Sequence, residues 1–329
     1  MNTLSDLFDP SLILAMASAF VAVLAITPNI ITYALKINWV DQPNGRKLHT
    51  KPTPSIGGLV LIPSIVITWI IFSVPEASIE HESFIALLVA IIILYLVGLY
   101  DDRWPLSHRI KLPIQLILSA SLIQAMDILP LDFNGVLGIG VVDGWWGFLL
   151  TLFFFLFTIN AVNFIDGING LLGTYVVITL SVLGIVFLAL DINPGMAWLM
   201  LVMASGTMAY LFFNFRKTAK TFMGDAGSTV IGLIIATAVS MWLSRSHSIG
   251  TMPSFFFVAV LFWYPLIDSL MVYIRRMLRG KSPFKADNGH IHHLLLKRLS
   301  PNHIVITLVI SLTTVVLIGL MYLQYHHVG

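Results

Sequence analysis

The sequence contains no cysteine and very little charge. Of its 329 residues, only 10% are Asp, Glu, Lys or Arg, whereas 57% are hydrophobic and the mean hydropathy is +0.91. The absence of cysteine excludes disulfides, thiolate nucleophiles and sulfur-ligated metals. Because soluble domains carry about 25% charged residues, this composition excludes a soluble globular protein and indicates a chain that crosses a membrane several times.

Hydrophobic segments long enough to cross a bilayer occur ten times along the chain. A transmembrane helix needs about 20 mainly apolar residues, so the pattern predicts an all-α, polytopic membrane bundle forming one domain over residues 1–329. Met1 to Pro10 contains no Lys or Arg, unlike a cleaved secretory signal, so the first segment is expected to remain as a helix. The predicted spans are 11–35, 56–74, 83–99, 110–126, 146–164, 170–190, 195–213, 228–243, 254–274 and 303–323.

Basic residues are concentrated in alternate connections between the predicted spans. If the connection after the first span is cytoplasmic, 17 of the 18 Lys and Arg residues lie inside and only Arg245 lies outside. The positive-inside rule then predicts both termini outside. This topology and the clusters described next account for the basic residues, so no nucleic-acid partner is expected. Membrane lipids are expected as partners.

The first cytoplasmic connection combines basic residues with turn-forming ones. Arg46, Lys47 and Lys51 follow Asp41 in a stretch that also contains Pro and Gly, a pattern that suits a phosphate-bearing ligand. The same cations would also anchor the chain to the cytoplasmic side. Taken alone, this connection favours the anchoring interpretation.

Two adjacent carboxylates, Asp101 and Asp102, lie at the inner end of the third span, with Lys111 opening the fourth. Neighbouring carboxylates at the end of an apolar helix repel each other and lose hydration. A divalent cation would compensate, and Mg²⁺ suits the position because it takes one or two carboxylates together with substrate phosphates. A solvated helix end paired with Arg103 explains the pair equally well.

The connection between the fifth and sixth spans is polar but contains no basic residue. Asn160 and Asn163 share one face of a helix, and Asp166 continues that face. Amides and a carboxylate at a membrane helix end cost free energy unless something binds there. Anchoring cannot explain this connection, so the pattern favours a functional site.

The string Gly224-Asp225-Ala-Gly227-Ser228 precedes the eighth span. It is typical of a tight turn at a helix N-terminus, which is a natural anion site. Asp225 could bind a metal there or cap the helix. The string alone does not distinguish these roles.

The last cytoplasmic connection contains His290, His292 and His293 within four residues. The other clusters offer carboxylates, amides and cations, which suit Mg²⁺ and phosphate better than zinc. We therefore interpret the histidines as ligand contacts. Asp268, inside the ninth span, is a functional candidate as an intramembrane acid, unless it pairs with basic residues at that helix end.

Together these clusters predict phosphoryl transfer between a soluble nucleotide substrate and an acceptor dissolved in the membrane. A transporter or lipid flippase is the alternative of a different class. Transporters place charged sites near the midplane on broken helices, whereas these clusters lie at helix ends. A CDP-alcohol phosphotransferase is a nearer rival, but its DxxDGxxAR signature is absent.

The ordered motifs DxPxxRKxHxxPxPxxGG, DDR, NxxNxxDGxxGL, FMGDAGS and HIHH extend from Asp41 to Leu296. Their order resembles the polyprenyl-phosphate N-acetylhexosamine-1-phosphate transferases, and SPFxxDxxHIHH is most similar to the branch that uses UDP-GlcNAc and undecaprenyl phosphate. The resemblance implies a multi-pass enzyme of the bacterial inner membrane that releases UMP, requires Mg²⁺ or Mn²⁺, and starts the synthesis of O-antigen or enterobacterial common antigen. Another UDP-N-acetylhexosamine is the alternative donor. We also expect a homodimer.

The resemblance further implies roles for individual residues. Asp101, Asp102 and Asp225 would be catalytic, with Asp225 and Asp102 binding the metal. The implied substrate-binding residues are Arg46, Lys47, His49, Lys111, Asn163, Asp166, Asn169, Phe222, Asp268, His290, His292 and His293. Within this set, Asn163, Asp166, Asn169 and Phe222 resemble the uridine-binding group, and the histidines belong to a loop that contacts sugar and diphosphate.

Two mechanisms fit these roles: direct attack by the lipid phosphate, or a covalent aspartyl intermediate. A phosphate monoester has a second pKa of about 6 and is largely ionised at neutral pH. The acceptor therefore needs little help from a general base, which favours direct attack, although the sequence leaves both mechanisms open.

Overall fold

The computed structural model describes most of the chain: residues 5–43, 51–73, 81–129, 131–133, 135, 138–245, 254–280 and 289–328. Within these ranges a 3₁₀ turn at Ser5–Phe8 precedes eleven α-helices. They are α1 (Pro10–Lys36), α2 (Gly57–Ser73), α3 (His81–Arg103), α4 (His108–Ala125), α5 (Gly144–Phe164), α6 (Leu171–Ala189), α7 (Pro194–Asn214), α8 (Asp225–Arg245), α9 (Ser254–Leu278), α10 (Ile291–Arg298) and α11 (His303–Val328).

Each predicted span coincides with one long helix, which confirms the all-α, polytopic fold. Among the described residues, eight helices are both long and apolar enough to cross a membrane. The two remaining long helices are α2, which is apolar but has 17 residues, and α4, whose first turn contains Arg109 and Lys111. Which end of the bundle faces the cytoplasm stays a prediction from the basic residues.

Helix α8 is the central element of the bundle. Every residue from Ala226 to Leu243 is buried, and α8 packs against α2, α3 and α5. Helices α6, α7 and α1 pack in succession beside this group. Since α8 is surrounded along its whole length, its N-terminal residue Asp225 is fixed relative to the ends of several neighbouring helices.

Two glycines allow α2 and α3 to approach α8 at its N-terminal end. A Cβ atom on Gly58 would lie 2.6 Å from the Cα of Gly227, and one on Gly98 would lie 2.6 Å from the Cα of Ala226. Both distances are too short for any side chain. Glycine at these positions therefore brings the ends of three helices together.

A small strand pair, which the sequence patterns did not predict, lies in the connection between α4 and α5. Strand β1 (Leu131–Asp132) pairs antiparallel with β2 (Val141–Val142). Strands of two residues are too short to show the alternation that marks a strand in sequence. Trp145 and Trp146 follow at the start of α5 and are exposed, which is typical of aromatic residues at a membrane interface.

The polar connections meet at the opposite end of the bundle from this strand pair. The backbone of Phe222 pairs with that of Ser55, and the backbone N–H of Gly224 donates to Asp166 over 3.2 Å. The Asp225 N–H donates to Asp102 over 2.8 Å. The structure thus gathers the predicted clusters at one end of the helices.

Candidate active site

A cavity of about 500 Å³ opens at this end of the bundle. The ends of α3, α5 and α8 and the start of α10 contribute side chains to it. Its charged and polar lining is Asp41, Ser55, Asp101, Asp102, Arg103, Asn163, Asp166, Asp225, Ser228 and His293. The cavity therefore contains residues from every predicted cluster, and carboxylates outnumber cations in it.

A lysine bridges two carboxylates on the wall of this cavity. The Lys111 ammonium lies 2.9 Å from Oδ2 of Asp101 and 2.7 Å from Oδ2 of Asp225. All three side chains are only partly exposed, at 17%, 13% and 21%. Asn163 adds a hydrogen bond to the Asp225 carboxylate. One positive charge thus faces two carboxylates, and the group retains net negative charge that a further cation could neutralise.

Asp102 has different surroundings from its neighbour Asp101. Its Oδ1 accepts the backbone N–H of Asp225 at 2.8 Å, and its Oδ2 accepts that of Ala226 at 3.1 Å. The helix N-terminus that the sequence predicted as an anion site is therefore filled by a protein carboxylate. The metal-binding role of Asp102 stays a prediction.

The turn before α8 requires glycine at position 224. Gly224 has φ +75°, in the left-handed region, and a Cβ there would lie 2.5 Å from Oδ2 of Asp102. Asp166 holds the same turn from the other side, through the Gly224 N–H. Burial away from water raises the pKa of Asp166 to about 7, against the lowering effect of that hydrogen bond.

Phe222 lies between this cavity and a second one of about 450 Å³. Its backbone N–H donates to the Pro54 carbonyl over 2.9 Å, and its own carbonyl accepts the Gly57 N–H at 2.8 Å. The second cavity is lined by Lys51, Thr53, Asn169, Lys217, Thr218, Ala219, Phe222, Pro301, Asn302 and His303. Its lining offers an aromatic ring, amides, hydroxyl groups and two lysines.

Asn169 connects two of the chain segments that line the second cavity. Its side-chain amide donates to the Arg216 carbonyl over 2.7 Å, and its backbone N–H donates to Nδ1 of His303 over 3.3 Å. Asn169 is therefore tied to the connection between α7 and α8 and to the start of α11. Asn160, on α5, instead donates to Gln115 of α4 over 3.0 Å.

The three histidines divide between the cavity and the protein interior. His293 lines the first cavity, whereas His290 and His292 are buried. His292 shares a hydrogen bond of 2.9 Å with the Tyr264 hydroxyl. Burial holds its pKa well below the ordinary value, and nearby His293 adds to the effect.

Asp268 lies behind the histidines rather than at the first cavity. It is fully buried, its Oδ2 lies 2.6 Å from Nδ1 of His290, and its Oδ1 accepts the Ile291 N–H. The alternative that Asp268 pairs with basic residues at the helix end is not supported, since these two bonds connect it to the start of α10. Asp268 thus fixes the position of the histidine helix, and its predicted contact with substrate stays a prediction.

Arg46, Lys47 and His49, which the resemblance implies as substrate contacts, lie outside the described residues. Within the described ranges, no group of three or more His, Asp or Glu side chains forms a ready-made metal site. Mg²⁺ does not need one, because it is held by one or two carboxylates plus substrate phosphates. The partly exposed Asp101 and Asp225 fit that requirement by their chemistry.

Several residues at the site were not predicted from the sequence. His303, Asn302 and Lys217 line the second cavity, and Tyr264 supports His292. His303 and Asn302 flank the start of an apolar helix and belong to no motif, so only the arrangement of α11 beside the connection after α5 reveals them.

Comparison with known proteins agrees with this arrangement. Residues 84–243 match the sequence model of glycosyl transferase family 4. The chain is 31% identical over 275 residues to the undecaprenyl-phosphate alpha-N-acetylglucosaminyl 1-phosphate transferase of Salmonella typhi, covering 80% of this chain and 71% of that protein. It is 33% identical over 289 residues to the probable undecaprenyl-phosphate N-acetylglucosaminyl 1-phosphate transferase of Bacillus subtilis, covering 87% and 77%.

The family match covers the DDR, NxxNxxDGxxGL and FMGDAGS motifs, and the relatives' names confirm the resemblance seen in the order of the motifs. The matched region also includes nearly all of α3 to α8, whose ends carry Asp101, Asn163 and Asp225. The chain belongs to glycosyl transferase family 4.

Proposed function

We propose that this protein transfers GlcNAc 1-phosphate from UDP-GlcNAc to undecaprenyl phosphate in the bacterial inner membrane. In this reaction an oxygen of the lipid phosphate bonds to the phosphorus that carries GlcNAc. The bond from that phosphorus to the bridging oxygen breaks, and UMP leaves with the bridging oxygen and its electron pair. The observation that carries the proposal is the group of Asp101, Lys111 and Asp225 beside a cavity at the end of an apolar bundle.

The acceptor is bound where the membrane and the cavity meet. Lys111 bonds to both Asp101 and Asp225, so it supplies positive charge for the lipid phosphate. Because the phosphate is already largely ionised at neutral pH, positioning and charge neutralisation contribute most of the catalysis, as in other phosphoryl transfers. The direct attack favoured by the sequence remains our preferred mechanism.

Mg²⁺ or Mn²⁺ is the cofactor that fits this donor set. Carboxylate oxygens are hard ligands, and Asp225 and Asp101 are the residues that would hold the ion. When bound, the ion neutralises charge on the donor diphosphate. Lys111 keeps the two carboxylates from repelling each other while no ion is bound.

The two cavities suit the two ends of the donor. The second cavity, with the Phe222 ring and two lysines, suits a nucleoside that stacks and accepts hydrogen bonds. The first cavity then holds the diphosphate and the hexosamine, with His293 as the imidazole within reach. The predicted uridine-binding residues Asn163 and Asp166 lie at the first cavity, next to Phe222.

The product would enter the synthesis of a cell-envelope polysaccharide, such as O-antigen or enterobacterial common antigen. The support for this part of the proposal is the motif resemblance together with the names of the relatives. A homodimer stays an expectation from the sequence.

The decisive experiment incubates the purified protein with undecaprenyl phosphate, Mg²⁺ and radiolabelled UDP-GlcNAc, with UDP-GalNAc as the competing donor. We expect a labelled lipid and UMP from UDP-GlcNAc, and none after the metal is removed with EDTA. Asp225→Asn should lose most activity, whereas Asp143→Asn, at the far end of the bundle, should retain it. Transfer from UDP-GalNAc alone would contradict the donor assignment, and a sugar phosphate trapped on an aspartate would contradict direct attack.

A further inference from the structure

The position of Asp102 points to a task that neither its motif nor its neighbour Asp101 reveals. We propose that Asp102 is a positioning residue, which holds the first turn of α8 and thereby aims Asp225 into the cavity, rather than a metal ligand. What Asp225 does there rests on the proposed function, whereas the hold on α8 does not.

The hydrogen bonds of Asp102 account for both of its oxygens. Oδ1 and Oδ2 accept the N–H groups of Asp225 and Ala226 at 2.8 and 3.1 Å. The first N–H groups of a helix have no partner within the helix, and a side-chain oxygen normally caps them from the residue just before it. Here Gly224 precedes the helix and has no side chain, so the cap comes from α3.

The turn is built around this carboxylate. Gly224 leaves the space that Asp102 fills, since a Cβ at position 224 would lie 2.5 to 2.8 Å from the carboxylate atoms. The carboxyl group also lies at the end of α8 where the helix dipole favours an anion. Both of its oxygens are bonded by backbone N–H groups of the protein, so their hydrogen bonds do not depend on a metal.

The two neighbouring carboxylates therefore face different partners. Asp101 bonds to Lys111 and to the backbone N–H of Leu106, whereas Asp102 bonds to α8. Successive residues of a helix project about 100° apart, which lets one carboxylate contact the lysine at the cavity while the other supports the helix behind it.

The end of α3 that carries Asp102 is itself held in place. The indole N–H of Trp39 donates to the Asp102 carbonyl over 3.3 Å, and Arg103 donates to the Asn38 carbonyl over 3.1 Å. On the far side of the turn, Asp166 holds the Gly224 N–H. The backbone of Asp225 is thus fixed from two sides, which preorganises its carboxylate for whatever it binds.

Hydrogen–deuterium exchange of the metal-free protein in EDTA tests this inference without substrate or turnover. We expect Asp102→Ala to speed exchange in the 224–228 segment by about tenfold, because the cap that protects these amides is lost. Asp102→Asn should have a smaller effect, because its single acceptor oxygen preserves one of the two bonds. The matched control Asp101→Asn should leave this segment within about twofold of the wild type.

Mn²⁺ binding measured by electron paramagnetic resonance in the presence of UDP supplies a second readout. A positioning role predicts that Asp102→Asn weakens Mn²⁺ binding much less than Asp225→Asn does. Unchanged exchange in both Asp102 variants would overturn the inference, as would equal losses of Mn²⁺ affinity in Asp102→Asn and Asp225→Asn. If Asp102→Ala does not fold, Asp102→Asn decides by the same two measurements. Failure of the transferase assay alone would leave the exchange result standing.

Discussion

At the scale of single residues, the site depends on one lysine between two carboxylates. Lys111 lies within 2.9 Å of Asp101 and within 2.7 Å of Asp225. Opposite charges this close attract strongly where water is partly excluded. The lysine therefore stabilises the carboxylates when no other cation is bound and competes with a metal ion for them.

Lys111→Met tests that competition. We expect metal-free Asp101 and Asp225 to repel each other more and to bind Mn²⁺ about tenfold more tightly without substrates, as measured by electron paramagnetic resonance. Turnover should nevertheless fall by about 100-fold, because a cation that faces developing charge is lost. Arg109→Met, which removes an exposed cation two residues earlier, is the control. An unchanged Mn²⁺ affinity in Lys111→Met would refute the competition.

His293 is the histidine positioned to touch a ligand, since it lines the first cavity. His293→Ala should cut turnover with UDP-GlcNAc by about 10 to 100-fold, because a hydrogen bond to a charged group is lost. UMP affinity, measured by calorimetry, should stay within about threefold. His303→Ala, at the second cavity, should instead weaken UMP binding. The reverse pattern would place the nucleoside in the first cavity.

At the scale of helices, the site exists because three helix ends meet at glycine contacts. Gly58 and Gly98 let α2 and α3 touch the first turns of α8. The short helix α10 is docked differently, through polar side chains: Asp268 and Tyr264 of α9 hold its first residues. Backbone proximity thus places Asp225 among the carboxylates, and side-chain hydrogen bonds place His293.

Gly98→Val should separate α3 from α8, because its side chain would overlap the backbone of Asp225 and Ala226. We expect a loss of about 1 to 3 kcal/mol in stability from overpacking, and a fall in turnover larger than that instability explains. Thermal unfolding in detergent and the transfer assay measure the two effects. Gly319→Val is the control, since a Cβ there meets no atom within 4 Å; equal effects of both changes would count against the contact.

The docking of α10 should weaken in acid. Burial holds the pKa of His292 well below its ordinary value, so the folded protein keeps it neutral while the unfolded chain takes up a proton below about pH 6.5. His292 therefore lowers the free energy of unfolding as pH falls below about 6.5, by at most about 1.4 kcal/mol per pH unit. The raised pKa of Asp166, about 7, acts in the opposite direction, so the comparison must isolate His292.

Thermal unfolding at pH 7.5 and pH 5.5 makes that comparison. The loss of stability between the two values should be smaller in His292→Gln than in the wild type. His108→Gln changes an exposed histidine and should leave the loss as it is in the wild type. An equal loss in all three proteins would show that His292 is not held neutral by folding.

At the scale of the whole molecule, polarity is sorted between the two ends of the bundle. The end that carries the site also carries the connections richest in Lys and Arg, whereas the opposite end carries the β1–β2 pair and the exposed Trp145 and Trp146. A nucleotide sugar reaches the site only from the aqueous side on which that end lies. The positive-inside rule predicts that this side is the cytoplasm.

The absence of native cysteine makes this sidedness directly measurable. A cysteine in place of Lys220, an exposed residue at the site end, should react with a membrane-impermeant maleimide only after the membrane is permeabilised. One in place of Asp143, exposed at the other end, should react in intact spheroplasts. Labelling in the opposite order would invert the topology and remove access to cytoplasmic UDP-GlcNAc.

The sequence by itself determined the class of molecule and the polar clusters that line the first cavity. Ten apolar segments of this length indicate membrane helices, because the backbone N–H and C=O groups of a helix in lipid form their hydrogen bonds within the same segment. The positions of all ten follow from local composition, as do the clusters around Asp101, Asp166 and Asp225. These features are local in sequence, so no knowledge of helix packing was needed to find them.

Only the tertiary structure decided what each polar residue does within the site. Asp101 and Asp102 are adjacent in sequence and alike in chemistry, yet one contacts Lys111 and the other caps α8. His290 and His292 are buried while His293 reaches the cavity. Such differences depend on which helix end lies opposite each side chain. That is set by contacts between residues more than 100 positions apart, such as Asp102 and Asp225, and no local pattern records it.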